Sequence, residues 1–439
     1  MMLELSSENI AKLKNPQFRT YAQIYTRIYD QFMNEVSKQG LDFGPVDQNK
    51  LNETRRDLQA KGAILRNDDK SIYINWLSSA CEACRKGEDS LTFYLSLKCH
   101  RKCYYCFNPN QESYEYYSQN HRNCLAELDS VAKSGRKLAF IALTGGEPLI
   151  HKKETVEFFR HAKQLFPRAH TRLYTSGDLL DKDILARLQD AKLDEIRFSV
   201  KLEDKKELRE KVLANMRLTK EYIRDVMVEM PVIPGTLDEM KELLRELDQI
   251  GIAGINLLEF CFPYNNVGEF KKRSFAIKVP PYKVLYDYWY AGGLPVAGSE
   301  QDCLALVDFA LTEKLSLGVH YCSLENKHTG QVYQQNRHES KNKLLYFSPK
   351  DFFLKKAKVF GKDIPEVLKV FKKKMVTNYN INDKYNFLEF HVKDIKHLKK
   401  LPIEVGISYN IIERRDDEKY LRELKIDMVY PEDFDIKLI

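Results

Sequence analysis

The sequence has no run of about 18 unbroken apolar residues, so no segment reads as a membrane span. Met1 to Asn15 lack a basic start, an apolar stretch and a small-residue cleavage site, so no secretory signal is expected and a cytoplasmic location is the expectation. There is no internal repeat and no low-complexity tract, which argues against a solenoid or a linker-rich chain. Beyond Cys322 there is no cysteine at all, and the nine present form an odd set, so a disulfide framework is not expected. The net charge of +7 is small for 439 residues, and its lysines concentrate late, in 353–362 and 393–400. Without a basic groove motif that pattern describes solvated surfaces better than a nucleic-acid interface. A hydrophobic fraction of 43% with 30% charged residues is ordinary for a folded globular protein.

Apolar positions Tyr21, Ile24, Ile28 and Phe32 recur at helical spacing, and a second helical stretch surrounds Leu58. Two short strands then flank Asn67-Asp68-Asp69, so residues 1–80 are expected to form a helical, winged-helix-like unit. Between residues 91 and 260 six apolar runs alternate with helical stretches: 91–97, 138–143, 171–174, 195–200, 226–233 and 254–260. Parallel strands need such crossovers, so residues 85–265 are expected to form an α/β partial barrel of six β/α units. Helical segments at 281–290 and 299–314 would extend it over 266–340. Residues 341–439 read as a small C-terminal α+β module: a strand (352–360), a helix (364–374) and three further strands ending near Tyr430.

Five of the nine cysteines fall within 26 residues, and clustered thiols in a reducing compartment usually bind metal. Cys99, Cys103 and Cys106 form a C-x3-C-x2-C loop directly after the first barrel strand. Three thiolates can hold three irons of a [4Fe-4S] cube and leave the fourth open. A zinc site completed by His100 or a remote cysteine is the alternative reading of the same spacing. Thr144-Gly145-Gly146-Glu147-Pro148 follows the second strand, where paired glycines allow close backbone approach and proline ends the strand.

With these two motifs after strands one and two, residues 90–260 resemble the radical S-adenosylmethionine (radical SAM) superfamily. The resemblance assigns Cys99, Cys103 and Cys106 to the cluster, Tyr105 to the aromatic position before the last cysteine, and Gly145, Gly146 and Glu147 to the segment that meets the SAM amino group. Ser176 in Thr175-Ser-Gly-Asp178, and Ser199 and Lys201 after the fourth strand, match polar residues of the SAM pocket more loosely. Met230-Pro-Val-Ile-Pro-Gly235 is reminiscent of activating enzymes for glycyl-radical proteins. The resemblance implies reductive cleavage of SAM at the [4Fe-4S] cluster and hydrogen abstraction by a 5′-deoxyadenosyl radical. It also implies an electron donor such as a ferredoxin or flavodoxin.

The substrate is not legible, and a peptide or protein is the first expectation, suggested by the flanking units. A glycyl-radical-enzyme activase or a small-molecule-modifying enzyme is the second, and a non-catalytic metal-stabilised binding module is the reading from another class. Cys81-Glu-Ala-Cys84 is a second ligand pair that needs partners, with Cys303 and Cys322 the first candidates and Cys124 and Cys261 further ones. An auxiliary iron-sulfur cluster, a structural zinc and an ordinary reduced pair all remain open. Glu325, Lys327 and His328 form a polar group after Cys322, and Tyr114, Tyr116 and Tyr117 are read as packing residues.

Overall fold

A computed structural model describes residues 2–279, 293–339, 342–415 and 418–439; the helix expected at 281–290 lies outside them. The chain divides into two compact units, one of residues 42–279 and 293–327, the other of residues 2–41 and 328–439.

The larger unit is built on nine strands: β1 (Ile64–Arg66), β2 (Ser71–Ile74), β3 (Ser90–Tyr94), β4 (Phe140–Thr144), β5 (His170–Thr175), β6 (Glu195–Phe198), β7 (Asp225–Val232), β8 (Gly254–Glu259) and β9 (Gly318–Cys322). Their order is β1-β2-β9-β8-β7-β6-β5-β4-β3. β3 to β9 run parallel, and β2 closes antiparallel on β9 with Ser71 opposite Cys322. Among the described residues β1 and β3 are not paired with each other, so the sheet is a partial barrel. The six expected strands are present, and β9 is a seventh parallel strand that the sequence reading placed among irregular segments.

Period-two alternation divides the side chains between two faces. One face carries Ile141, Leu143, Leu173, Ile196, Phe198, Val226, Val228, Ile255, Leu257 and Val319 into a single apolar core. Helices between the strands cover it. Helix Leu237–Ile250, for example, buries Met240, Leu243, Leu244 and Leu247 at the i, i+3, i+4, i+7 spacing of an amphipathic helix and ends on Gly251 at φ 71°. Helix Ser299–Thr312 forms as expected and buries Cys303, Leu304, Leu306 and Val307 on the same core.

The smaller unit is an antiparallel sheet of six strands, with strand Leu354–Phe360 between Phe387–Phe390 and Val405–Arg415. Helix Ile364–Lys374 packs Val367 and Phe371 into one core. Helix Pro16–Lys38 supplies the other: Phe18 stacks on Phe360 at 4.6 Å, and Tyr21 meets Phe387 edge-on. The sequence boundaries at 80, 265 and 340 therefore do not coincide with the compact units. The first helix joins the C-terminal sheet because its aromatic stripe finds partners there, whereas the hairpin β1-β2 joins the large sheet. Four strands, not three, follow helix Ile364–Lys374.

Candidate functional site

The parallel strands deliver their C-terminal ends to one rim, and the two motifs meet there. After β3 the chain runs through Ser96 and Lys98 into Cys99; after β4 it turns through Gly145 and Gly146. The two turns clasp through Gly146 N–H to Ser96 O (3.1 Å) and Glu147 N–H to Lys98 O (2.8 Å). Asn108 Nδ2, beyond the cysteine loop, donates to Gly145 O at 2.6 Å. A Cβ on Gly146 would lie 1.9 Å from Lys98 O, and Gly145 holds φ +118°, so both positions require glycine. The glycines expected to admit a ligand thus first admit the cysteine loop.

Cys99 is exposed, and Cys103 and Cys106 are half-buried. Arg101 N–H donates to Cys99 Sγ at 3.4 Å, and Lys201 and Asn108 favour the ionised forms of Cys103 and Cys106. Burial pushes all three thiols up, and Lys201 opposes that at Cys103 by charge and hydrogen bond. The three sulfurs feel one another's charge. The residues present fit an iron-sulfur cube: three thiols on one loop, open at Cys99 and half-buried at Cys103 and Cys106.

Glu147 is buried at 2% exposure, yet it is not unpaired. Its carboxylate accepts Thr175 Oγ1–H (2.7 Å), Ser176 N–H (2.7 Å), Ser176 Oγ–H (2.6 Å) and Leu149 N–H (3.0 Å). It therefore joins the turn after β4 to the turn after β5. Ser176 Oγ also lies 2.6 Å from Asp178 Oδ1, whose other oxygen meets His100 Nε2 at 2.8 Å. Burial opposes ionisation of Asp178, but Ser176, His100 and Arg101 outweigh it and hold the carboxyl below its ordinary range. Arg101 donates to Asp204 Oδ1 (2.9 Å), so the cysteine loop is pinned to the ends of β5 and β6. Tyr105 stacks edge-on against Tyr104 (4.9 Å) and Phe260 (5.7 Å), an aromatic wall beside Cys106. Ser199 is held by its backbone, N–H to Thr175 O at 2.9 Å. The network of His100, Arg101, Asp178 and Asp204 was not anticipated; the charged run inside the cysteine motif is its sequence signal.

The second face of the sheet is polar. Arg197 on β6 donates to Glu229 on β7, Asn256 on β8 donates to the same Glu229 oxygen (2.7 Å), Asn256 Oδ1 meets His320 Nδ1 on β9 (2.6 Å), and His320 Nε2 meets Ser71 on β2 (2.8 Å). One hydrogen-bonded ladder thus spans five strands. The segment around helix Ser79–Ala83 lies on this face: Ser78 Oγ–H donates to Glu195 (2.6 Å) and accepts from Arg197 (3.0 Å). Burial opposes ionisation of Glu195, but the Arg197 charge with hydrogen bonds from His170 and Ser78 brings its pKa down to about 2.

Of the four further cysteines considered as ligands, Cys81 and Cys322 lie on the polar face, Cys81 accepting from Asn256 Nδ2 (3.1 Å) and Cys322 from Asn326 Nδ2 (3.3 Å). Cys322 feels the charge of Cys84 and Cys81, and Cys84 that of Cys81. Cys303 faces the other way, among Ser299, Glu259 and Glu300, because helix Ser299–Thr312 turns it into the apolar core. Cys124 is buried with its thiol on Tyr94 O, and Cys261 is buried near Glu259 and Lys327. Tyr114 lies within reach of the Cys99 and Cys106 charges, and Tyr117 packs edge-on against Tyr94.

Residues 93–247 match the family model described as the radical SAM superfamily. This stretch is a radical SAM domain. The chain is 29% identical over 276 residues to a Methanocaldococcus jannaschii protein provisionally named as a glycyl-radical enzyme activating enzyme, covering 61% of this chain and 68% of that protein. Among solved structures it is similar to Streptococcus suis SuiB bound to the precursor peptide SuiA, with 14% identity, a TM-score of 0.39, and coverage of 54% of this chain and 48% of that one. It is similar also to anSMEcpe with bound AdoMet and the Cp18Cys peptide, with 19% identity, a TM-score of 0.32, and coverage of 40% and 51%. The chain thus spans about half the length of these solved proteins. No helix among the described residues is long and apolar enough to cross a membrane.

Proposed function

We propose that the enzyme reductively cleaves SAM at a [4Fe-4S] cluster held by Cys99, Cys103 and Cys106, and uses the product to take a hydrogen atom from a protein or peptide. The observation that carries this reading is the clasp between the three-thiol loop and the Gly145-Gly146-Glu147 turn at the rim of the sheet. When bound, the cluster and SAM supply a one-electron cleavage of the C5′–S bond and a hydrogen-atom abstractor at the rim.

The chain's own residues do the rest. Cys99, Cys103 and Cys106 would hold the cluster, and Arg101, Lys201 and Asn108 favour the charged form of their sulfurs. Glu147 fixes the turns after β4 and β5 in one geometry against the cysteine loop, beside which the methionine end of SAM would lie. Lys201 and Ser199 stand at the end of β6, where they would meet the ribose and carboxylate. Tyr105, Tyr104 and Phe260 exclude water from beside the cluster. Reducing equivalents come from a ferredoxin or flavodoxin in the cytoplasm.

Activation of a glycyl-radical enzyme is the specific form that the M. jannaschii likeness favours, together with Met230-Pro-Val-Ile-Pro-Gly235 at the end of β7. Anaerobically reconstituted protein given dithionite and SAM should yield 5′-deoxyadenosine and methionine, and Cys103→Ala should yield neither. Absence of both products from the wild type would sink the reading. Mixing with a panel of purified glycyl-radical enzymes should then raise a protein-borne radical signal; a panel that stays silent removes the activase form and leaves SAM cleavage standing.

A further inference from the structure

Two arginines lie on the polar face of the sheet, on neighbouring strands and at nearly the same depth: Arg197 on β6 is 4% exposed and Arg172 on β5 is 8% exposed. Arg197 is saturated, with Nε on Glu195, Nη1 on Glu229 and Nη2 on Ser78. Arg172 is not, because its Nε and Nη1 are buried with no acceptor among the protein groups. A buried guanidinium with open donors is costly unless an anion meets it.

The strands beside Arg172 leave room for that anion. Glu195, its partner in the β5–β6 register, is occupied by Arg197, Ser78 and His170. On the other side the register runs from Arg172 to Ala142 on β4 and Thr92 on β3. Thr92 is exposed, and among the described residues β3 has no further strand beyond it. No side chain longer than threonine therefore stands on that row between Arg172 and the edge of the sheet.

A cavity of about 460 Å³ lies by the helix Ser79–Ala83, lined by Ala83 and Arg85 on either side of the exposed Cys84. Arg66 at the end of β1 lines it too, and its Nη1 is likewise buried without an acceptor among the protein groups. The charge of Arg172 reaches Cys84. On the face itself Arg172, Arg197 and Lys327, whose charge acts on Glu229, oppose Glu195 and Glu229, an excess of one positive charge. That excess suits a carboxylate better than a phosphate ester, which carries nearly two charges.

Arg172 stands three residues before Thr175, whose hydroxyl bonds Glu147 at the rim, so it lies about 10 Å down the strand from the rim. An extended peptide covers that distance in about three residues. We propose that the polar face is the substrate cradle and Arg172 its carboxylate receptor, so that the enzyme takes a peptide or protein segment with an acidic group about three residues from the position that loses hydrogen. Only that spacing rests on the SAM-cleavage reading; recognition of the carboxylate needs neither SAM nor reductant.

The test titrates the reconstituted full chain, unreduced and without SAM, with four acetylated pentapeptides followed by saturation-transfer NMR. They are Gly-Gly-Glu-Gly-Gly-amide, its Gln counterpart, its phosphoserine counterpart, and pentaglycine with a free C-terminal carboxylate. The Glu peptide should bind about tenfold more tightly than the Gln peptide, as a charge-assisted contact requires. Arg172→Met should erase the difference, and Arg172→Lys should restore part of it. Pentaglycine identifies the source: binding equal to that of the Glu peptide admits a terminal carboxylate, weaker binding confines the site to an acidic side chain, and both support it. Arg172→Met should also melt at or above the wild-type temperature without peptide, since it removes a buried charge that has no partner, a response that a structural arginine would not give. Equal binding of the Glu and Gln peptides, preference for phosphoserine, or an Arg172→Met variant that melts lower or does not fold would overturn the assignment. The wild-type comparison of Glu with Gln needs no variant. Failure of SAM cleavage with Glu-selective binding intact would count against the rim chemistry and not against this site.

Discussion

The two faces of the nine-stranded sheet are made by the same strands and differ in almost everything else. The helix-covered face is a continuous apolar core in which Ile196, Phe198, Val228, Leu244 and Leu257 are all essentially inaccessible. The other face carries Arg197, Glu229, Asn256 and His320, buried as well but bonded to one another. A parallel sheet covered on both sides by helices has near-continuous apolar strands. Strands that alternate apolar with ionic residues while remaining buried therefore mark a face packed through polar bonds, here to one another and to the segment around helix Ser79–Ala83. One face holds the fold together; the other, with its rim, is where the proposed chemistry would take place.

Substitutions can break that division in order of effect. The largest belongs to the rim: Cys103→Ala should abolish SAM cleavage while far-UV circular dichroism and the melting temperature stay near wild type, since the half-buried thiol supports little packing. On the polar face, Arg197→Met leaves Glu195 and Glu229 buried without their cation and should cost about 3–5 kcal/mol in denaturant unfolding. On the apolar face, Leu244→Ala should cost about 2–5 kcal/mol by cavity formation, with SAM cleavage per folded molecule preserved. If Arg197→Met proved neutral, the polar ladder would not be a locked network and the contrast between the faces would fail. Glu147→Gln keeps the shape but weakens acceptance of the Thr175 and Ser176 donors. We expect a loss of about 1–3 kcal/mol, read as a lower melting temperature, with weaker SAM binding by calorimetry.

The smallest effect is in pH dependence. Glu195 has a folded pKa of about 2 against an ordinary 4.5, so between those values the unfolded chain binds more protons and stability rises with pH. Its contribution is complete above pH 4.5 and is lost as the pH falls towards about 2. Glu195→Gln should flatten that part of the stability curve. An unchanged slope would mean that Arg197 and Ser78 do not hold the carboxylate as described.

The sequence shows the apolar face plainly, because Ile-x-Phe and Val-x-Val patterns with intervening helices leave few other arrangements. It hides β9. Gly318-Val-His-Tyr-Cys322 carries only one strand-forming aliphatic, and its His320 and Cys322 are explained by polar partners on β8 and β2 that are distant in sequence. The same limitation misplaced the first helix, whose Phe18 and Tyr21 stripe announces a buried face without naming Phe360 and Phe387 as what buries it. The rim motifs were legible as local patterns, Cys99-x3-Cys103-x2-Cys106 and Gly145-Gly146-Glu147, because loops that grip a cofactor compress their residues into short spans. Cys303 and Cys322 looked equivalent as ligands since only the folded chain shows that they face opposite sides of the sheet. The period-two placement of Arg172, Arg197, Glu229 and Asn256 within otherwise apolar strands was the available signal for the polar face.

The most direct test of the rim as a three-thiolate site is the electron paramagnetic resonance spectrum of the anaerobically reconstituted, reduced protein. Three protein ligands leave one iron open, so adding SAM should change the g-values of a [4Fe-4S]+ signal. A signal that SAM leaves unaltered would show the iron already closed by a fourth protein ligand, and would contradict the account.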